Sequence, residues 1–159
     1  MKNLEKEEAV VDHVKPSNVV TNVALLKQFN LEVHNKQDVE FDTEFELCST
    51  GERMLTVRMS IYYIRIFLPI KIHAVRLTVF YLQGFTTYFD VEFSHCHLAS
   101  QFSTGPLSQV THWQQTSFYL RGEYNLAKEE IIKGIFNMIR DKAWDRDLVF
   151  RIGFIIQVS

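Results

Sequence analysis

Val39-Glu40-Phe41-Asp42-Thr43-Glu44-Phe45-Glu46-Leu47 decides the reading of this chain. Val39, Phe41, Thr43, Phe45 and Leu47 fall on alternate positions, with an acid at every position between them. Period two puts all the apolar groups on one face of an extended strand and all the charges on the other. A helix would scatter both around its circumference. Working outward, Phe29, Leu31 and Val33 repeat the alternation upstream, and Cys48-Ser49-Thr50-Gly51-Glu52 reads as a polar turn. Downstream, Tyr88–Phe93, Thr116–Leu120 and Leu148–Val158 are further strand candidates separated by polar or Gly/Pro breaks. Many short strands, with 13% aromatic residues, predict an all-β fold: a single antiparallel β-barrel or sandwich-like domain.

The bulk properties fit that class. The 159 residues make one domain's worth of chain, 47% apolar and 23% charged, which is ordinary for a packed globular domain. A formal net charge of −2 exerts no general pull on nucleic acid or anionic membrane, so neither is expected as a direct partner. The two cysteines, Cys48 and Cys96, are too few for a disulfide framework, and Met1–Val20 has no basic-then-apolar leader. Both point to a reducing compartment, the cytoplasm and/or the nucleus. Residues 1–15 are charged and expected to be flexible; Pro16-Ser17-Asn18 reads as a turn opening the domain at 16–159.

Charge is unevenly placed. Residues 53–89 hold five bases and no acid, in a chain with 19 acids. The stretch 57–83 is strongly apolar, but Arg58, Arg65, Lys71 and Arg76 leave no uncharged run of about 18 residues for a membrane helix. The segment 126–140 is ambiguous. Leu126, Ile131, Ile132, Ile135, Met138 and Ile139 lie near helical spacing, while a strand pair broken near Gly134 fits as well.

Several chemistries lack their residues. No two of the six glycines lie two apart, so no Gly-x-Gly turn is present to hold a nucleotide-type cofactor. On a strand, His95 and His97 of Ser94-His95-Cys96-His97 would share one face and Cys96 the other. At most two ligands converge, fewer than zinc needs, so no metal site is expected.

The most specific stretch runs from Tyr88 to Leu120. Tyr88-Phe89-Asp90-Val91-Glu92-Phe93 is followed by Phe102-Ser103-Thr104-Gly105-Pro106 and then by Thr111-His112-Trp113-Gln114-Gln115-Thr116. In order and spacing this resembles the C-terminal β-barrel of the protein arginine N-methyltransferases, with Gln114 where the family commonly has Lys. Val19-Val20-Thr21-Asn22 and Arg146-Asp147-Leu148 extend the likeness, which covers about 10–56 and 84–150.

The resemblance implies that Thr111, His112 and Trp113 form a substrate-binding loop. His112 would pair with a carboxylate of the family's methyl-transfer domain, and Trp113 would wall the groove that takes an arginine guanidinium, a planar cation suited to an indole. It also implies a strand over 130–137, with Glu130 where the family usually has Gly. In the full-length family the cofactor is S-adenosylmethionine and the partners are arginine-containing protein substrates. This chain has neither the Gly-rich loop nor the paired glutamates of that chemistry. It is therefore expected to bind no cofactor, to be inactive alone, and to be incomplete at its C-terminal end, as a truncated product or an incomplete gene model. The alternative is a non-catalytic pseudo-subunit that associates with an intact methyltransferase and regulates it.

Residues 57–83 have no counterpart in the family pattern. Without them, Arg53-Met54-Leu55-Thr56 runs directly into Gly84-Phe85-Thr86-Thr87-Tyr88. The first two residues, Val-Arg, can be encoded by a splice-donor-like GTAAGN, and the last four, Phe-Tyr-Leu-Gln, by a pyrimidine-rich stretch ending in CAG. The segment therefore reads as an unspliced-intron-like insertion; a genuine β-hairpin insertion broken at Pro69 is the alternative.

Overall fold

The period-two segments become the strands that build both sheets. The computed structural model describes residues 2–3, 9–30, 32–33, 35–50, 68–74, 82–93, 97–98, 100–144 and 147–157. Among them are ten strands: β1 (Lys2–Asn3), β2 (Val10–Asp12), β3 (Ala24–Phe29), β4 (Phe41–Cys48), β5 (Leu68–Ala74), β6 (Leu82–Phe93), β7 (Ser100–Ser103), β8 (Gln115–Tyr124), β9 (Ile131–Arg140) and β10 (Leu148–Gln157). Among the described residues there is no α-helix, only 3-10 turns at Pro16–Asn18 and Lys36–Val39. All the pairings are antiparallel. One sheet runs β1-β10-β9-β4 and the other β2-β8-β6-β5-β3, with β7 paired to β6. The described strands form two facing sheets and do not close into a continuous hydrogen-bonded barrel.

The four-stranded sheet turns its alternating residues inward in matched rows. Phe41, Met138 and Phe150 lie side by side, as do Thr43, Phe136 and Ile152; Phe45, Gly134 and Phe154; and Leu47, Ile132 and Ile156. Phe85 from β6 sits edge-on over the third row, 5.7 Å from Phe45 and 5.0 Å from Phe154. Phe118 of β8 meets Phe150 at 5.2 Å. Burying such rings is the main driving term, at roughly 1.5–3 kcal/mol for each large apolar side chain. The outward acids of this sheet face cross-strand partners: Glu40 pairs with Arg140 at 3.0 Å, Asp42 accepts from Asn137 at 2.7 Å, and Glu46 pairs with Lys133 at 3.2 Å. Exposed pairs of this kind add little stability.

The ambiguous segment is a strand, as the resemblance implied. Within β9, Ile132, Gly134, Phe136 and Met138 are buried in strict alternation. The left-handed position of this turn falls one residue before Glu130. Glu129 takes the left-handed conformation, at φ 69°. Glu130 is buried, and its carboxylate accepts the Ala127 N–H at 2.6 Å. The same turn is tied to the start of the domain. Ser49 N–H donates to Glu130 O, Glu129 N–H to Ser49 O, and Thr50 N–H to Val20 O, each at 3.0 Å.

A direct outcome follows from this turn. Glu129→Gly removes the steric cost of a left-handed non-glycine and is expected to leave stability unchanged or raise it by about 0.5–1 kcal/mol. Glu130→Gly, which restores the family's glycine, removes the carboxylate that closes the turn and is expected to cost about 1–2 kcal/mol. Denaturant melts of the two variants check the one-residue offset.

Two segments acquire partners that their sequences did not advertise. Within 1–15, Val10–Asp12 pairs with Ser117–Gln115 along the backbone, its side chains exposed. Within 57–83, β5 lies between β3 and β6. Backbone ladders are tolerant of sequence, which lets this stretch pair on both sides.

Candidate functional site

β6 and β7 form a hairpin, registered Asp90 to Ser103 and Phe93 to Ser100. Beyond it the chain turns sharply at Thr104, which is buried and bound to one residue by three hydrogen bonds. Its N–H and hydroxyl both donate to Phe89 O at 3.0 Å, and the hydroxyl accepts the Phe89 N–H at 3.1 Å. Gly105 follows because nothing larger fits: a Cβ there would lie 2.6 Å from Cε2 of Tyr88. Tyr88 is itself buried; burial, and then the charge of Asp90, push its phenol well above the ordinary tyrosine range, so it remains a neutral packing group.

The loop that carries the candidate residues begins after this turn. Thr111 donates its hydroxyl to the Trp113 carbonyl at 3.0 Å, which folds the three residues tightly. Trp113 is half-buried and joins an aromatic stack. Phe102 lies nearly parallel to it at 5.3 Å, Phe89 meets it edge-on at 6.3 Å, and the His112 ring lies 3.9 Å away on the solvent side. His112 is exposed. Thr111, His112 and Trp113 thus form one tight turn, with an exposed imidazole beside an indole that packs against the core. Phe102 and Phe89 beneath the indole, and Thr104 and Gln115 around it, were not singled out from the sequence, although all lie inside the quoted motifs.

Other candidates resolve less. His95 and Cys96 lie outside the described residues, and His97 is exposed. Among the described residues no group of three or more His, Cys, Asp or Glu side chains could hold a metal ion, and no helix is long and apolar enough to cross a membrane. No described glycine adopts a positive φ. Gly84, Gly122, Gly134 and Gly153 lie within strands, and Gly105 packs against Tyr88.

Two facing antiparallel sheets are the architecture of the C-terminal β-barrel domain of arginine methyltransferases. The whole chain, residues 1–159, matches the family described as the arginine methyltransferase oligomerization subdomain, and the chain belongs to that family. It is 36% identical over 155 residues to protein arginine N-methyltransferase 1 of Caenorhabditis elegans, covering 97% of this chain and 36% of the relative. Protein arginine N-methyltransferase 1 of Schizosaccharomyces pombe is 31% identical, with 93% of this chain and 36% of the relative covered. The chain thus spans about a third of the length of these relatives. Among solved structures, the PRMT1 enzyme–prozyme heterotetrameric complex with AdoHcy from Trypanosoma brucei superposes with a TM-score of 0.70 at 23% identity. The match covers 94% of this chain and 42% of that one, and it supports the fold alone.

Proposed function

We propose that this domain supplies the arginine-facing wall of an S-adenosylmethionine-dependent protein arginine methyltransferase. His112 meets a carboxylate of the methyl-transfer domain, Trp113 lines the guanidinium groove, and Thr111 sets the loop's shape. The observation that carries this reading is the anchored stack of Phe102, Trp113 and His112, which holds an exposed imidazole beside an indole. A planar delocalised cation is best met by aromatic surface, and a carboxylate oriented by imidazole is fixed for the guanidinium it grips. The cofactor belongs to the methyl-transfer domain. The substrates are arginine-containing proteins, and the setting is the cytoplasm and/or the nucleus.

In an intact methyltransferase carrying this domain, Trp113→Ala is expected to raise the KM for an arginine peptide about tenfold or more, equivalent to about 1.4 kcal/mol. S-adenosylmethionine affinity should stay within about twofold. Steady-state kinetics and calorimetry on the same preparation check both. An equal fall in cofactor affinity, or an unchanged peptide KM, would remove the assigned role.

A further inference from the structure

We propose that Gln115 is the positioning residue of this site: its side-chain amide ties the base of the Thr111–Trp113 loop to Val14, two residues beyond strand β2, and to the Thr104 turn. The inference rests on the reading of that loop as the arginine-facing wall.

Gln115 is only 4% exposed. Its Nε2 donates to Thr104 O at 2.6 Å, and its Oε1 accepts the Val14 N–H at 2.8 Å across 101 residues of sequence. One planar amide thus uses its donor and acceptor ends at once, on two segments far apart in sequence. Thr104 passes the constraint on through its three hydrogen bonds to Phe89. The Phe89 ring then underlies Trp113 and Phe102. A continuous path runs from Val14 through Gln115, Thr104 and Phe89 to the indole, and the loop leaves the path only two residues before Gln115.

The chemistry explains why this position calls for Gln. A glutamate would keep the acceptor for Val14 but set a carboxylate against the Thr104 carbonyl. A methionine of similar length would keep the packing and remove both bonds. An aliphatic residue would leave the Thr104 carbonyl without its donor in a nearly dry setting, where an unmet polar group is costly. Gln alone among side chains of that length satisfies both segments.

The experiment compares Gln115→Met and Gln115→Glu with the parent, all carrying Trp144→Phe so that Trp113 is the single tryptophan reporter. Trp144 is 70% exposed, so its replacement leaves the core alone. Hydrogen exchange is read at individual amides, together with Trp113 emission. With Gln115→Met, exchange at Val14 is expected to rise about tenfold relative to the amides of β9, with a shift in Trp113 emission. With Gln115→Glu, Val14 should keep its protection while Trp113 emission still shifts. Equal acceleration in β9 and at Val14, or failure of both variants to fold, would make Gln115 a general packing residue and overturn the proposal. So would an unchanged Trp113 emission. Because the readout needs no substrate, a null result for Trp113→Ala in the intact enzyme would remove the functional reading and leave this coupling standing.

Discussion

Deleting Val57–Gln83 is expected to raise soluble yield and to sharpen the thermal transition, with a midpoint about 5 °C or more above that of the full chain. The reason lies in β6. Leu82 is fully buried two residues before Gly84. In the shortened chain Leu55 stands two residues before Gly84 and Thr56 one, so the inward leucine is replaced in kind and the strand runs on without a break. The deletion also removes a dense run of Ile, Tyr, Phe, Leu and Val that brings bases but no acids, the composition of an association-prone segment. What is lost is β5, with its backbone pairing to β3 and β6. Both neighbours run antiparallel to β5 and hence parallel to each other, so β3 can close on β6 across one strand spacing of about 4.8 Å. A genuine insertion behaves the other way. Its apolar side chains would belong to the core, and losing them would cost roughly 1.5–3 kcal/mol each. Side-by-side expression and melts separate the two: a deletion variant that is less soluble and melts lower would defeat the intron-like reading.

Gly134→Val is expected to abolish stable folding, at a cost of about 3 kcal/mol or more. Gly134 lies between Phe45 and Phe154 in the central row of the four-stranded sheet. The Phe45 ring covers it, and a Cβ there would also come within 2.8 Å of the Gly153 carbonyl. Phe85 closes the arrangement from the opposite sheet, edge-on to both rings. Edge-to-face pairs are worth about 0.5–1.5 kcal/mol beyond burial, and valine would displace the ring on which they depend. The neighbouring Ile135 points outward and is 41% exposed, so Ile135→Ala serves as the control and should move stability by no more than about 0.5–1 kcal/mol. A Gly134→Val variant that melts like the parent would show that the row is wrongly registered.

The same glycine explains what could and could not be read in advance. Strand β4 was legible because its apolar and acidic residues alternate without exception. Strand β9 was not, because one of its inward positions holds a hydrogen atom in place of an apolar side chain while its outward positions include Ile131 and Ile135. The apolar list then mixes two faces and imitates a helical stripe; only the resemblance restored the strand. At the site, Thr111, His112 and Trp113 were legible as a motif. The support beneath them was not, since Gln115, Thr104 and Val14 meet through hydrogen bonds that no local pattern encodes. Likewise β2 pairs through its backbone while exposing every side chain, so it leaves no periodic trace.

The order of strands also governs when this domain can form as it is made. Strands β6, β7 and β8 are near neighbours in sequence and can pair within a short stretch of chain. Strand β4 has its hydrogen-bonded partner in β9, with Phe41 opposite Met138. At synthesis rates of about 5–20 residues per second, Phe41, Phe45 and Leu47 wait roughly 5–20 seconds on the ribosome before that partner exists. During that interval three core side chains are open to chaperones and to other nascent chains, and every residue inserted between β4 and β9 lengthens the exposure.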